Sequence, residues 1–207
     1  MNAIDTRPCR TVAVALTGAS GMPYGLRLVE TLLAGGCRVW LLYSQVAQIV
    51  ARQEMALELP GRPADAEAFF KARFAGLPGT LAVFGREEWF APVASGSNPP
   101  DAMIVCPCTM GTLAAIAQGL ASNLIERAAD VVLKEGRKLV LVPRETPFSA
   151  LHLENMLKLS RLGAVILPPS PGFYTHPREI SDIVDFVVAR ILDQIGVPQT
   201  LMARWGL

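Results

Sequence analysis

Six short, nearly uninterrupted apolar runs separated by helix-length segments constrain this chain more than any other feature. They are Thr11–Leu16, Cys37–Tyr43, Leu81–Phe84, Ala102–Cys106, Lys138–Val142 and Ala164–Leu167. Runs rich in Val, Ile and Leu that do not alternate with polar residues are strands covered on both faces. The segments 22–34, 45–56, 64–75, 110–119, 123–135, 149–162 and 179–195 are helix-like. Strand and helix in alternation give a parallel sheet between helical layers, and right-handed crossovers settle most of the topology. At 207 residues one domain suffices, and the expected organisation is a flexible stretch over 1–10, a domain over 11–196 and a tail over 197–207. Hydrophobic residues make up 51% of the chain, an excess that a large interior or subunit contacts must absorb, and the tail is assigned to such contacts. Two segments break the pattern: Pro92–Pro100 reads as a small-residue loop with no buried side chains to hold it, and Pro168–Pro177 as a loop stiffened by prolines that carries Phe173 and Tyr174. Both are expected where loops at the strands' carboxyl ends converge on a ligand.

Charge excludes some classes. Lys plus Arg number 19 against 18 Asp plus Glu, so no long-range field recruits nucleic acid or an acidic membrane. No stretch is long and apolar enough to span a bilayer, and Met1–Arg10 carries Asp5, Arg7 and Pro8 rather than a signal core, which points to the cytoplasm. Cys9, Cys37, Cys106 and Cys108 do not form a disulfide framework. Cys106-Pro107-Cys108 lacks the spacing and second pair of a metal site, so no metal is expected.

The first run empties into Thr17-Gly18-Ala19-Ser20-Gly21 and then the helix-like stretch Met22–Ala34. Such a turn offers unpaired amides and the positive end of a helix dipole, so a phosphate is expected there. Gly18-x-x-Gly21-x-x-x-Gly25 is not the dinucleotide spacing, and Trp40 to Ser44 supply no carboxylate for a ribose, so a mononucleotide suits the turn better than NAD. A turn that merely needs glycine is the plainer reading. A second strand–turn–helix unit is Cys106-Pro107-Cys108-Thr109-Met110-Gly111-Thr112. Thr109 and Thr112 add hydroxyls there and Gly111 admits a ring or ribose to the backbone, although Thr109 is first a helix cap.

Farther on, Arg127, Asp130 and Lys134 share a helix face, which is a solvated salt-bridged surface or, near the next strand's exit, an anion site. Arg144 and Glu145 project between Pro143 and Pro147. Arg144 is suited to phosphate and Glu145 to proton transfer. Tyr174 lies in the second proline-rich loop, and Arg190 interrupts an apolar run, either snorkelling or gripping an anion. His152 and His176 have no nucleophile beside them, which leaves a hydrolase triad without support.

Taken together, these segments resemble the UbiX-type flavin prenyltransferases of the flavin-binding decarboxylase-like superfamily. The resemblance runs through Thr17–Gly21 with Tyr24-Gly25, Ala94-Ser95-Gly96-Ser97, Cys106-Pro107-Cys108, Asn123–Asp130, Val142–Glu145, His152–Met156 and Pro171–Tyr174. It covers nearly all of 11–196. It implies a three-layer Rossmann/flavodoxin-like α/β fold with a mostly parallel sheet. It also implies transfer of the dimethylallyl group of dimethylallyl monophosphate to N5 and C6 of reduced FMN, without a metal, with phosphate released. The product, prenylated FMN, would serve a UbiD-type decarboxylase in ubiquinone-related or aromatic acid metabolism.

Carried over, Gly18, Ala19, Ser20, Ser44, Thr109, Met110, Gly111, Thr112 and Arg144 correspond to FMN contacts, although Met110 departs from the usual residue. Tyr174, Arg190, Lys134, Arg127 and Ser95 correspond to the dimethylallyl phosphate site. Glu145 corresponds to the acid that assists phosphate departure, Ser20 to a group near N5 and Trp89 to an aromatic wall, with Met22 as a further candidate for excluding water. The family forms dodecamers whose sites draw on several subunits. The rival readings are a cysteine-type oxidative decarboxylase, disfavoured because no His precedes His152, and a non-catalytic flavin-binding subunit.

Overall fold

A computed structural model describes residues 10–203 and Gly206; Cys9, Trp205 and nearly all of the expected flexible stretch lie outside the described residues. Its strands are β1 (Thr11–Leu16), β2 (Arg38–Tyr43), β3 (Thr80–Phe84), β4 (Ala102–Cys108), β5 (Lys138–Pro143) and β6 (Val165–Ile166). The helices are α1 (Met22–Ala34), α2 (Gln45–Met55), α3 (Pro63–Arg73), α4 (Met110–Ala117), α5 (Leu124–Lys134), α6 (Ala150–Arg161) and α7 (Ile180–Ile195). The six strands form one sheet in the order β3-β2-β1-β4-β5-β6, and every pairing is parallel.

Alternation along each strand divides the interior in two. Val12, Val14 and Leu16 face a core shared with α1, α2, α3 and α7. Ala13, Ala15, Met103 and Val105 face one shared with α4, α5 and α6. The winding direction reverses between β1 and β4, the doubly wound arrangement that opens a crevice at the carboxyl ends of those two strands. Local chemistry sets the element ends. Asn123 accepts hydrogen bonds from the Ile125 and Glu126 N–H groups at the start of α5, and Ser149 with His152 forms a capping box on α6.

Three expectations change. β4 continues two residues past Cys106, because the Pro107 carbonyl still accepts from Thr17 and Cys108 pairs with Pro143. The segment from Pro92 is not an unanchored loop. Pro92–Ala94 forms a 3-10 turn whose Val93 and Ala94 are buried in the second core against α5. This segment also leads into the first residue of β4, so Ser95–Pro100 approaches the amino edge of the sheet rather than the carboxyl edge.

Candidate functional site

At the crevice the two strand–turn–helix units stand side by side, and Thr17 joins them. Its N–H and its hydroxyl both donate to the Pro107 carbonyl, at 3.2 and 2.8 Å, while the hydroxyl accepts from the Thr109 N–H at 2.8 Å. Gly18 is dictated by packing, since a Cβ there would lie 2.4 Å from Val46 Cγ1. Gly21 is dictated by backbone, with φ of 117°. Gly111 has neither reason: a Cβ would meet only Thr109 Oγ1, at 4.0 Å, so its glycine leaves a cradle that an alanine would fill.

The amino end of α1 is not open in the way the sequence suggests. Glu54, from α2, accepts from the Gly21 N–H and from the Met22 N–H at 2.8 Å, so a carboxylate of the chain already occupies that end of the dipole. Glu54 is the residue sequence reasoning missed. Among the described residues the N–H groups of Gly18, Ala19 and Ser20 keep no protein partner, and neither do those of Met110 and Gly111 in the first turn of α4. Thr109 caps α4 by accepting from the Thr112 N–H and donates to the Thr112 hydroxyl. Ser44 caps α2 and lines a cleft of about 260 Å³ at the ends of β2 and β3 with Gln48 and Arg86. Met110 and Met22 are buried in the cores, so Met110 has only its backbone to offer and Met22 is no pocket wall.

The rim of the crevice carries Arg144 and Glu145 at the end of β5. Arg144 is exposed and its N–H donates to the Cys108 carbonyl; the partly buried Glu145 carboxylate accepts from the Thr146 N–H. Trp89, 46% exposed, lies on the loop after β3, where the Arg86 carbonyl ties this loop to the first residue of α5. Below the crevice Cys106 and Cys108 are fully buried. Burial raises both thiols, that of Cys108 to about 12.

Other expected residues stand elsewhere. Arg127 donates to the Ala94 carbonyl and pairs with Asp130 at 2.8 Å; Lys134 pairs with Glu135 at 2.5 Å against Gly96, beside Ser95. Lys134 ends α5 just before β5 begins, at the strand's entrance and not its exit, whereas Arg127 stands in the first turn of α5, the end tied to the loop after β3. The six residues of β5, roughly 20 Å of strand, therefore separate Lys134 from Glu145. Tyr174 and Arg190 belong to the opposite face of the sheet. Tyr174 packs edge-on to Phe186 of α7, and with Arg190 it lines a cleft of about 550 Å³ that also includes Asp193, Gln199 and Met202. Arg190 pairs there with Asp193 at 3.0 Å. Among the described residues no group of three or more His, Cys, Asp or Glu is placed to hold a metal ion, and no helix is long and apolar enough to cross a membrane.

A doubly wound sheet whose switch-point crevice offers open amides and a glycine cradle defines a mononucleotide-binding α/β protein. The chain matches the Flavoprotein family over residues 4–192 and belongs to it. It is 55% identical over 195 residues to the flavin prenyltransferase UbiX of Pseudomonas aeruginosa, an alignment that covers 94% of this chain and 93% of that one. It also resembles the crystal structure of AnUbiX (PadA1) in complex with FMN and dimethylallyl pyrophosphate. That likeness has a TM-score of 0.85 at 40% identity and covers 96% of this chain and 98% of the other. A dodecameric FMN-dependent UbiX-like decarboxylase from Escherichia coli O157:H7 superposes with a TM-score of 0.82 at 43% identity, over 94% and 98% of the two chains.

Proposed function

We propose that this chain is a flavin prenyltransferase that joins the dimethylallyl group of dimethylallyl monophosphate to N5 and C6 of reduced FMN and releases phosphate. The observation that carries the reading is the open mononucleotide cradle with Arg144 and Glu145 on its rim, in a chain 55% identical to a flavin prenyltransferase. FMN fits on two grounds: Gly111 leaves room for a ring or ribose, and the free amides of Gly18–Ser20 and of the first turn of α4 supply donors for a phosphate. Ser44, Thr109, Thr112 and Arg144 complete the holding set.

Reduced FMN, as acceptor, offers N5 and C6 as the atoms to be alkylated. The protein's part is electrostatic and protective. When the carbon–oxygen bond of the donor breaks, the electron pair leaves with phosphate, and Lys134, Arg127, Arg190 and the Tyr174 hydroxyl stabilise the charge that grows there, with Ser95 as a further donor. Glu145 carries a proton between the departing phosphate and the reacting centre, and Ser20 stands at the N5 side. Trp89 shields the electron-poor prenyl carbons from water and faces them with a π surface.

These groups lie at both ends of β5 and on both faces of the sheet, so one chain cannot assemble them. We assign each site to several chains of a homo-oligomer, and the relative from Escherichia coli O157:H7 is a dodecamer. Fully exposed Phe90, together with exposed Leu153, Leu157 and Ile180, supplies apolar surface for such contacts, and the tail from Val197 is assigned to them. The product is the cofactor of a UbiD-type decarboxylase. A cytoplasmic setting accords with Cys106 and Cys108, which stand two residues apart as buried thiols.

The test is anaerobic incubation with reduced FMN and dimethylallyl monophosphate, then mass spectrometry of the released flavin. A gain of one C5H8 unit is expected. Unmodified FMN from protein that binds it tightly would favour a flavin-binding subunit or a decarboxylase instead.

A further inference from the structure

We infer that Thr17 is a positioning residue for the flavin site: its hydroxyl sets the gap between the β1 loop and the β4 loop that together hold the mononucleotide. The inference rests on the reading of this crevice as the FMN site.

The register between β1 and β4 ends at Ala15 and Val105. Beyond that point the chains must part, because the sheet's winding reverses there and each strand turns into its own helix. Pro107 makes the separation harder to control, since it has no N–H to give a neighbouring strand. Thr17 replaces the missing ladder with its side chain. Only 1% exposed, it donates its hydroxyl proton to the Pro107 carbonyl and accepts from the Thr109 N–H, both at 2.8 Å, while its own N–H also reaches Pro107.

One oxygen, on the residue immediately before Gly18, therefore touches both Pro107 and Thr109, the residue that caps α4. The open amides of Gly18–Ser20 lie on one side of this clasp and those of Met110 and Gly111 on the other. A mononucleotide that bridges the two loops senses their separation directly. The site tolerates errors of about 0.5 Å before its donors cease to match. The side chain of Val has the shape of Thr but neither donates nor accepts, so Thr17→Val leaves the partly buried Thr109 N–H without its partner and only the longer Thr17 N–H bond to Pro107 between the loops. Ser retains the oxygen and loses only a methyl group.

The experiment measures the FMN dissociation constant by flavin fluorescence for the wild type, Thr17→Val, Thr17→Ser and Ile191→Val, each with its thermal unfolding curve. Ile191 is buried on α7 away from the crevice and serves as a control for lost stability alone. The expected result is an affinity loss of tenfold or more in Thr17→Val, a Thr17→Ser value within about threefold of wild type, and unchanged affinity in Ile191→Val despite a lower Tm. If the folded Thr17→Val protein binds FMN as the wild type does, the hydroxyl only stabilises the fold and the inference falls while the flavin reading stands. If Thr17→Ser loses as much as Thr17→Val, the hydroxyl is not the cause and the inference falls as well. A wild-type protein that does not bind FMN overturns both. Should Thr17→Val not fold, a Thr17→Ser protein with wild-type affinity beside a Thr17→Ala protein at least tenfold weaker still upholds the role, and equal affinity in those two overturns it.

Discussion

Cys106 and Cys108 flank Pro107 beneath the crevice, and full burial keeps both as neutral thiols far above the ordinary range, Cys108 to about 12. In the unfolded chain a thiol ionises near 8.5. The folded state therefore holds protons that the unfolded state releases, so stability is intact below about pH 8.5 and falls as pH rises towards 12. Each thiol contributes about 1.4 kcal/mol of loss per pH unit in that window. Urea unfolding at pH 8 and pH 10 is expected to show the decline, and Cys108→Ala, weaker at both, should decline less steeply. A residue on the rim makes a different prediction. Glu145→Gln is expected to bind FMN within about threefold of wild type and to lose at least a hundredfold in turnover, the scale of a lost general acid or base. Unchanged turnover removes Glu145 from the mechanism. Arg190→Ala should raise KM for the donor by about tenfold while the FMN dissociation constant holds, if its charge serves the donor as proposed; equal losses for both ligands contradict that division.

At the scale of elements, Gly18 and Gly111 occupy equivalent turns yet should respond oppositely to alanine. Gly18→Ala puts a carbon 2.4 Å from Val46 on α2 and is expected to cost about 1–3 kcal/mol in a denaturant titration. Gly111→Ala meets no protein atom closer than 4.0 Å and gains helix propensity, so it should be at least as stable as wild type while binding FMN more weakly. The strands and helices were legible because their signals are local: unbroken runs of Val, Ile and Leu in alternation with helix-length segments. What was not legible depends on contacts made across the fold. Glu54 reaches the start of α1 from 33 residues away and nothing around it marks that destination. Val93 and Ala94 look like loop residues until α5 covers them. Lys134 was expected near the wrong end of β5, although a crossover helix between parallel strands ends at the next strand's entrance, and Lys134 lies four residues before Lys138. The residues matched to the family could be named individually, but their grouping into separate clusters could not.

The whole molecule keeps its two groups of basic side chains apart. Lys134 and Arg127 lie on the face covered by α5, Tyr174 and Arg190 on the face covered by α7, and Glu145 on the carboxyl edge. Neither Lys134→Ala nor Glu145→Gln alone should be active, but co-expressing them tests how sites are built. If the two side chains in a site come from different chains, random assortment leaves about one site in four intact and activity returns to that level. If both come from one chain, the mixture stays dead. The length of β5 has a genetic counterpart. If the two side chains serve different sites, a chain that lacks both withholds one from each, and activity in a mixed population falls as the square of the intact fraction. A defective allele of this protein would then be partly dominant, for no reason other than the span of a six-residue strand.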